Sequence, residues 1–380
     1  MPKPGGKLRQ YCIAFVVGTR PEAIKLSPVA HALAALGEPP QLFVTGQHPG
    51  LELSDHGLER FAATPLNCPG QPDPMIHADL VRAALKRLLP LDPPDLLIVQ
   101  GDTSSALGGA LAAREVGVAI AHVEAGLRTH DPTMPWPEEE NRANIDRLSD
   151  LLFAPTSANA ANLRRDHVHG EVHITGNSGL DALAALVGSL PVKPRRRWWP
   201  RPFQLLVTCH RRENWGIGLD GVAAALIALA NRRARSDVLL PPNAMVTQRI
   251  TGLLGNQHGI RLVPPLSHAA TITAMRNADL VLSDSGGMQE EAPALGVPLL
   301  ILREKTERPE ALATGSAELV GTDPGRIIAA VERLRRDRTS LKVMARPALP
   351  FGDGHSAPRI AAHCLAFLED QAIARQSCRA

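Results

Sequence analysis

The stretch 96–129, LLIVQGDTSSALGGALAAREVGVAIAHVEAGLRT, holds two short apolar runs on either side of an Ala- and Leu-rich segment. The runs, residues 96–99 and 118–123, do not alternate with polar residues, which favours strands buried on both faces of a parallel sheet. The segment between them, residues 106–115, has helical spacing. This order of strand, helix and strand predicts a right-handed βαβ unit.

The same alternation extends along the chain in both directions. In the first half, strands are also predicted at residues 12–17, 41–44, 151–154 and 172–174, all buried on both faces, and helices at 28–36 and 75–89. After a proline-containing segment at 190–202, strands are predicted at 204–208, 238–240, 261–263, 280–283, 298–302 and 318–320. Two sets of this kind predict an α/β protein with two Rossmann-like, doubly wound domains.

The length of 380 residues also favours two domains, because it exceeds what one ordinary core accommodates. We predict an N-terminal domain over residues 1–177, a C-terminal domain over 178–357, and a last helix, about 358–380, that packs back on the first domain. If the two sheets face one another, the carboxyl ends of their strands surround a central cleft. Ligands bind at such strand ends in this architecture.

The composition excludes several classes of protein. The formal net charge of +3 is small and spread along the chain, so we expect no nucleic-acid partner. One dense basic run, residues 193–201, contains prolines and is interpreted as a solvated linker. The five cysteines occur singly, which favours a reducing compartment. Without a signal peptide or a long apolar stretch, the sequence predicts a cytoplasmic protein with no membrane partner.

Charged residues follow the predicted strands of the first half. Residues 18–25, GTRPEAIK, form a glycine turn and a helix start that carry Arg20 and Lys25, a combination suited to an anion. Asp102 follows the strand at 96–99, where it would serve as a helix N-cap or as a functional carboxylate. Glu124 follows the next strand, and a proline-stiffened loop then carries Glu138 and two further carboxylates into a helix.

Three carboxylates in one crevice, Asp102, Glu124 and one of residues 138–140, suit proton transfer at carbon. Burial and mutual repulsion can bring the pKa of such groups toward neutrality. The alternative is a set of unrelated caps and surface charges. A metal site is not expected, because no cluster of histidines, cysteines or carboxylates has the spacing of metal ligands.

The second half has two polar strand ends. His210 follows the strand at 204–208 beside two arginines, which suits a diphosphate, although a buried structural histidine is the competing interpretation. Ser285, Gly286 and Gly287 join a strand to a helix, so that backbone amides can bind phosphate oxygens, and a carboxylate within that helix can reach ribose hydroxyls. The segment 216–221 matches G-x-G-x-x-G only weakly, because it lies too far from the strand end for a dinucleotide site.

Seven blocks of sequence resemble the non-hydrolysing UDP-N-acetylglucosamine 2-epimerases, which share a fold of two Rossmann domains with GT-B glycosyltransferases. The blocks are GTRPEAIK at 18–25, GDT at 101–103, HVEAGLRT at 122–129, PWPEE with NR at 135–142, HRREN at 210–214, DSGGMQEEAP at 284–293 and TERPEA at 306–311. The resemblance covers residues 15 to 360. It implies elimination of UDP from a UDP-N-acetylhexosamine to give a 2-acetamidoglucal, and re-addition of UDP with inversion at C2.

The resemblance also assigns residues. The residues implied near the sugar and in catalysis are Lys25, Asp102, Glu124, Glu138, Arg142 and His210. Those implied at the UDP and sugar site are Arg20, His210, Ser285, Gly286, Gly287, Glu291 and Arg308. The resemblance implies no metal, no other cofactor and a homodimer.

The sequence departs from the family pattern at several positions. Pro242 replaces a histidine that contacts an activating second UDP-sugar in many relatives, and Gly50 replaces a longer polar residue, so we expect no such activation. His268 and Thr271 replace aromatic residues near the base. Lys305 adds a cation, which leaves room for a modified, acidic sugar. A GT-B glycosyltransferase, a hydrolysing 2-epimerase and an inactive UDP-sugar-binding regulator are the competing functions.

Overall fold

The computed structural model describes residues 11–189 and 202–377. The chain divides into two compact units, unit 1 with Met1–Ala182 and Gly352–Ala380, and unit 2 with Leu183–Phe351. The predicted linker, apart from Pro202, and the basic run 193–201 lie outside the described residues. No helix within the described part of the chain is long and apolar enough to cross a membrane.

Unit 1 contains a seven-stranded parallel sheet. Its strands are β1 (Ile13–Val17), β2 (Gln41–Val44), β3 (Ala63–Pro65), β4 (Leu96–Gln100), β5 (Ala119–Val123), β6 (Leu151–Ala154) and β7 (Glu171–Ile174). The helices between them are α1 (Arg20–Ala35), α2 (Pro74–Leu88), α3 (Ser104–Val116), α4 (Glu138–Leu148), α5 (Ser157–Arg165) and α6 (Ser178–Ser189). The strand order is β3-β2-β1-β4-β5-β6-β7, which confirms the predicted doubly wound sheet.

Two strands of unit 1, β3 and β7, differ from the prediction, and helix α1 begins at Arg20 instead of residue 28. Strand β3 was not predicted, because its three residues, Ala-Thr-Pro, carry no apolar run. Strand β7 was predicted to be buried on both faces, but it lies at an edge of the sheet and Ile174 is 51% exposed. An edge strand has one neighbour instead of two, so helices cover it less completely.

Unit 2 repeats the architecture with a six-stranded parallel sheet of order β10-β9-β8-β11-β12-β13. Its strands are β8 (Phe203–Thr208), β9 (Ala234–Leu239), β10 (Ile260–Val263), β11 (Leu280–Ser283), β12 (Leu299–Ile301) and β13 (Ala317–Leu319). Its helices are α7 (Ile217–Asn231), α8 (Ala244–Leu254), α9 (His268–Asn277), α10 (Gly286–Leu295), α11 (Pro309–Ala313), α12 (Pro324–Arg336) and α13 (Arg338–Met344).

The last helix, α14 (Ser356–Ser377), returns to unit 1. Its residues Ala357, Ile360 and Cys364 join the same core cluster as Phe15 of β1. Backbone amides at the start of α14, those of Ser356 and Ala357, donate to the carboxylate of Asp181. Helices α1 and α14 therefore pack on one face of the sheet, while α2 and α3 pack on the opposite face.

Candidate active site

The strand order of unit 1 reverses between β1 and β4. The chain leaves β1 toward β2 on one side and later enters β4 on the other, so the loops after these two strands diverge at their carboxyl ends. Such a switch point is where doubly wound sheets bind ligands. The loops after β1, β4 and β5 carry the polar blocks that the sequence analysis singled out.

Glu22 links the first two of these loops and was not predicted as a site residue. Its carboxylate accepts backbone N–H groups of Gly18 at 2.9 Å and Thr19 at 2.6 Å, and the hydroxyl of Thr103 at 2.6 Å. Thr19 and Glu22 together form a capping box at the start of α1. Burial raises the pKa of Glu22 to about 7, although these hydrogen bonds act in the opposite direction.

Glu124, directly after β5, is the centre of a buried polar cluster. Its carboxylate accepts hydrogen bonds from Lys25 on α1, from Gln100 at the end of β4, and from Asn177 at 2.9 Å. The backbone of Glu124 has a φ of +72°, a conformation that non-glycine residues seldom adopt. Strained backbone of this kind persists where surrounding contacts hold it, often at functional sites.

Asp102, in the loop after β4, is held by α4. The guanidinium of Arg142 donates to the Asp102 carboxylate at 2.7 Å and to Glu139 at 2.8 Å, and Asn141 donates to the Asp102 carbonyl at 2.9 Å. The N-cap of α3 is Thr103, not Asp102. The alternative of Asp102 as a simple cap is therefore wrong.

The structure places a cation beside two of the predicted carboxylates. Lys25 neutralises Glu124, and Arg142 bonds Asp102. The expected arrangement of mutually repelling carboxylates must be revised, because each of these two carboxylates is paired with a cation. Glu138, the first residue of α4, is half-buried, while Arg20, the first residue of α1, is exposed.

A second buried network supports the loop that carries Asp102. The ring of His122 on β5 bonds Asp146 on α4 at 2.6 Å through Nδ1 and the Gly101 carbonyl at 2.8 Å through Nε2. Burial alone would raise the pKa of Asp146, but the charges of His122 and Arg128 outweigh it and the pKa is lowered. These contacts at both ring nitrogens of His122 tie the Gly101 carbonyl to α4 and so hold the loop that follows β4.

In unit 2 the strand order reverses between β8 and β11. Asp284, directly after β11, is fully buried and accepts the backbone N–H groups of His210 and Arg211, each at 2.8 Å, and the amide of Asn214 at 3.0 Å. Its second oxygen lies 3.4 Å from Nδ1 of His210. The backbone of His210 is therefore held by Asp284, while 43% of the His210 side chain remains exposed. The alternative of a buried structural histidine is wrong.

The amino end of α10 lies against Arg308. A Cβ at Gly286 would be 2.8 Å from Nη1 of Arg308, so only glycine lets the guanidinium approach the helix this closely. Arg308 is paired with Glu290 at 2.6 Å and with Glu307. Its charge is thus balanced by carboxylates, which the sequence did not predict. Ser285 is the N-cap of α10, and Gly287 follows Gly286.

The carboxylate pair on α10 is divided between two partners. Glu290 binds Arg308, whereas Glu291 accepts from Nε2 of His268 at 2.6 Å. Thr271 bonds the carbonyl of Ser267 within α9. Among the described residues, no group of three or more histidines, cysteines and carboxylates could hold a metal ion.

Comparison with known proteins places these two units in a family. The family model described as UDP-N-acetylglucosamine 2-epimerase matches residues 33–365. The chain belongs to this family. It is 38% identical to the UDP-N-acetylglucosamine 2-epimerase of Escherichia coli K12 over 368 residues, which cover 92% of this chain and 96% of the relative.

Solved structures of the family agree in fold. The UDP-GlcNAc 2-epimerase of Neisseria meningitidis bound to UDP-GlcNAc has a TM-score of 0.87 and 32% identity, and the match covers 93% of this chain and 99% of that one. The UDP-GlcNAc 2-epimerase of Methanocaldococcus jannaschii, in complex with UDP-GlcNAc and UDP, has a TM-score of 0.81 and 30% identity, with coverage of 93% and 99%. Family membership makes the chain an epimerase, an enzyme of the isomerase class.

Proposed function

We propose that the protein interconverts UDP-N-acetylglucosamine and UDP-N-acetylmannosamine by reversible elimination of UDP. The observation that carries the proposal is the pair of held carboxylates, Asp102 with Arg142 and Glu124 with Lys25, at the ends of adjacent strands. Inversion at C2 removes a proton from one face and returns a proton to the other. Two proton-transfer groups that follow different strands suit this requirement.

The proposed reaction has two balanced steps. One carboxylate takes the C2 proton, the C2–H electron pair forms the C1–C2 double bond, and the C1–O electron pair departs with UDP. In the second step a UDP oxygen attacks C1 of the 2-acetamidoglucal, and the other residue, in its carboxylic acid form, gives its proton to C2 from the opposite face. The first residue then releases its proton to solvent and the second takes one up. Glu138, at the amino end of α4, is proposed as a third group near the sugar.

The diphosphate leaving group needs stabilisation, and unit 2 supplies suitable donors. The amino end of α10, with Ser285, Gly286 and Gly287, presents backbone N–H groups to phosphate oxygens. The exposed ring of His210 adds a hydrogen-bond donor. We assign Glu291 to the ribose, and Arg20 and Arg308 to further binding of the UDP-sugar.

The proposal includes a cytoplasmic homodimer that needs no metal or nicotinamide. Nucleotide sugars are cytoplasmic metabolites, and proton transfer by carboxylates supplies the chemistry without a redox step. Light scattering of the purified protein tests the oligomeric state. A mass of one chain at micromolar concentration would contradict the dimer.

The deciding experiment follows C2 of UDP-N-acetylglucosamine by NMR in D₂O, without added metal or NAD. We expect deuterium at C2 and the appearance of UDP-N-acetylmannosamine. Release of free N-acetylmannosamine with UDP would identify a hydrolysing enzyme. Transfer of the sugar to an acceptor without exchange at C2 would identify a glycosyltransferase. Loss of exchange on chelation, restored by a divalent ion, would contradict the metal-free mechanism.

A further inference from the structure

Two side chains of unit 2, His268 and Glu291, form a pair between neighbouring helices. His268 is the first residue of α9 and Glu291 lies in the second turn of α10. Nε2 of His268 is 2.6 Å from Oε1 of Glu291, and the two side chains are 14% and 13% exposed. A hydrogen bond this short to a largely buried carboxylate holds both side chains in one geometry.

Glu290 and Glu291 are neighbours in sequence but differ in their partners and in their exposure. Glu290 is 2% exposed and is bonded to the guanidinium of Arg308, so its charge is already compensated inside the unit. Glu291 retains partial exposure, and the imidazole bonds only one of its two oxygens. The other oxygen, Oε2, accepts no hydrogen bond from the described residues, so it is the atom we assign to a hydroxyl donor.

The imidazole is itself fixed by the start of α9. Ser267 caps the helix by accepting the N–H of Ala270 at 3.3 Å, and the hydroxyl of Thr271 returns to the Ser267 carbonyl at 2.9 Å. These bonds set the backbone from which His268 projects. The ring therefore constrains the glutamate, because the ring's own backbone is held independently of Glu291.

We propose that His268 is a positioning residue that orients Glu291 for the two ribose hydroxyls of the nucleotide, and so sets the preference for ribose over 2′-deoxyribose. The inference rests on the proposed function, which places UDP at this edge. An acceptor that is held in place loses less conformational entropy when it binds a diol than a freely rotating carboxylate does. The imidazole thus strengthens a contact that it does not itself make.

The test measures binding of UDP, 2′-deoxy-UDP and inorganic pyrophosphate by calorimetry. The parent should bind UDP more tightly than 2′-deoxy-UDP. His268→Phe keeps a ring but removes the donor, and we expect it to weaken UDP binding roughly 5- to 20-fold, less than the loss of a direct hydrogen bond from a charged group to the ligand, because Glu291 itself remains. Its ratio of 2′-deoxy-UDP to UDP dissociation constants should fall toward one, while pyrophosphate affinity stays unchanged.

Three further comparisons complete the design. His268→Gln, whose amide can occupy the place of Nε2, should recover most of the discrimination. In a Glu291→Gln background, His268→Phe should cause little further loss, because the two residues act as one unit. The exposed His258, changed to Phe, serves as the control for introducing an aromatic ring into unit 2.

The outcomes separate the two proposals. If His268→Phe keeps the parental discrimination between UDP and 2′-deoxy-UDP, the positioning role is overturned and the proposed function stands. If pyrophosphate affinity falls together with UDP affinity, the substitution acts on the whole site and the inference is again wrong. A parent that binds no UDP at all would overturn the proposed function and this inference together.

Discussion

Charged side chains at the strand ends of unit 1 are held in pairs across long stretches of sequence. Lys25 and Glu124 are 99 residues apart, and Asp102 and Arg142 are 40 apart. Each pair holds a carboxylate in a fixed place, which suits a group that must meet one carbon atom. The opposed cations also keep two neighbouring negative charges compatible with folding.

Replacing either carboxylate by its amide should remove proton transfer and leave the fold intact. We expect Asp102→Asn and Glu124→Gln each to lower turnover by roughly two to four orders of magnitude, the usual effect of losing a general acid or base. UDP affinity should change little, because neither Asp102 nor Glu124 is among the residues proposed to bind UDP. Steady-state rates with UDP-N-acetylglucosamine, with the exposed Glu52→Gln as control, provide the measurement. Near-parental turnover in either variant removes that residue from the chemistry.

His210 should act on binding more than on stability. Asp284 holds the backbone of this loop, so deletion of the exposed ring leaves the loop anchored. We expect His210→Ala to weaken UDP binding by roughly tenfold, consistent with one lost donor to a charged group, without a change in melting temperature. The exposed His258→Ala is the matched control. Equal UDP affinity of parent and His210→Ala in calorimetry excludes His210 from the site.

Glu22 makes folding stability depend on pH. Its pKa is raised from 4.5 to about 7 by burial, so the folded state binds a proton more tightly than the unfolded state. This contribution to stability is fully present below about pH 4.5 and is lost as the pH rises through 7. The difference between the two pKa values corresponds to about 3 kcal/mol in the free energy of unfolding.

Glu22→Gln isolates this effect, since glutamine also serves in a capping box. Relative to Glu22→Gln, the free energy of unfolding of the parent should fall by about 3 kcal/mol between pH 4.5 and pH 8. Urea unfolding at a series of pH values measures it, with Glu52→Gln as control. Parallel stability curves for the parent and Glu22→Gln would show that burial does not shift the pKa of Glu22.

At the scale of elements, the junction of β11 and α10 depends on a close approach that only glycine allows. Gly286 and Gly287 are adjacent in α10, but their surroundings differ. A Cβ at Gly286 would meet the Arg308 guanidinium at 2.8 Å, whereas at Gly287 the nearest atom is the Ser285 hydroxyl at 4.0 Å. Arg308 cannot retreat freely, because Glu290 and Glu307 hold it.

These neighbours provide a matched pair of alanine substitutions. Gly286→Ala should lower the free energy of unfolding by about 1–3 kcal/mol through overpacking. Gly287→Ala should be neutral or stabilising by up to about 1 kcal/mol, because alanine favours the helix. Thermal unfolding without ligand measures both. If the two variants melt alike, the contact between Gly286 and Arg308 is not tight in solution.

At the scale of the whole molecule, we expect simple hyperbolic kinetics without activation by a second UDP-sugar. Pro242 and Gly50 are both exposed, and neither carries a side-chain donor for such a ligand. A ligand without differential affinity for two conformations cannot shift their equilibrium. The test starts from UDP-N-acetylmannosamine alone. A lag that traces of UDP-N-acetylglucosamine abolish would reveal an activator site.

The sequence by itself determined the elements and where the polar blocks lie on them. Parallel strands buried on both faces are continuous apolar runs, so β2, β6 and β11 were predicted to the residue. The strand at residues 63–65 escaped prediction because its pairing with β2 rests on backbone hydrogen bonds, not on an apolar signature. The same apolar runs predicted that Asp102, Glu124 and His210 follow strand ends.

Only the tertiary structure decided which charges meet. The sequence suggested a crevice of carboxylates that repel one another, but Asp102 is paired with Arg142. It also did not predict that Glu290 and Glu307 both pair with Arg308. The pairing of His268 with Glu291 was equally invisible in the sequence. The spacing of apolar residues along a segment indicates which of its faces is buried. A contact between distant segments depends instead on strand order and side-chain packing, which no local pattern encodes.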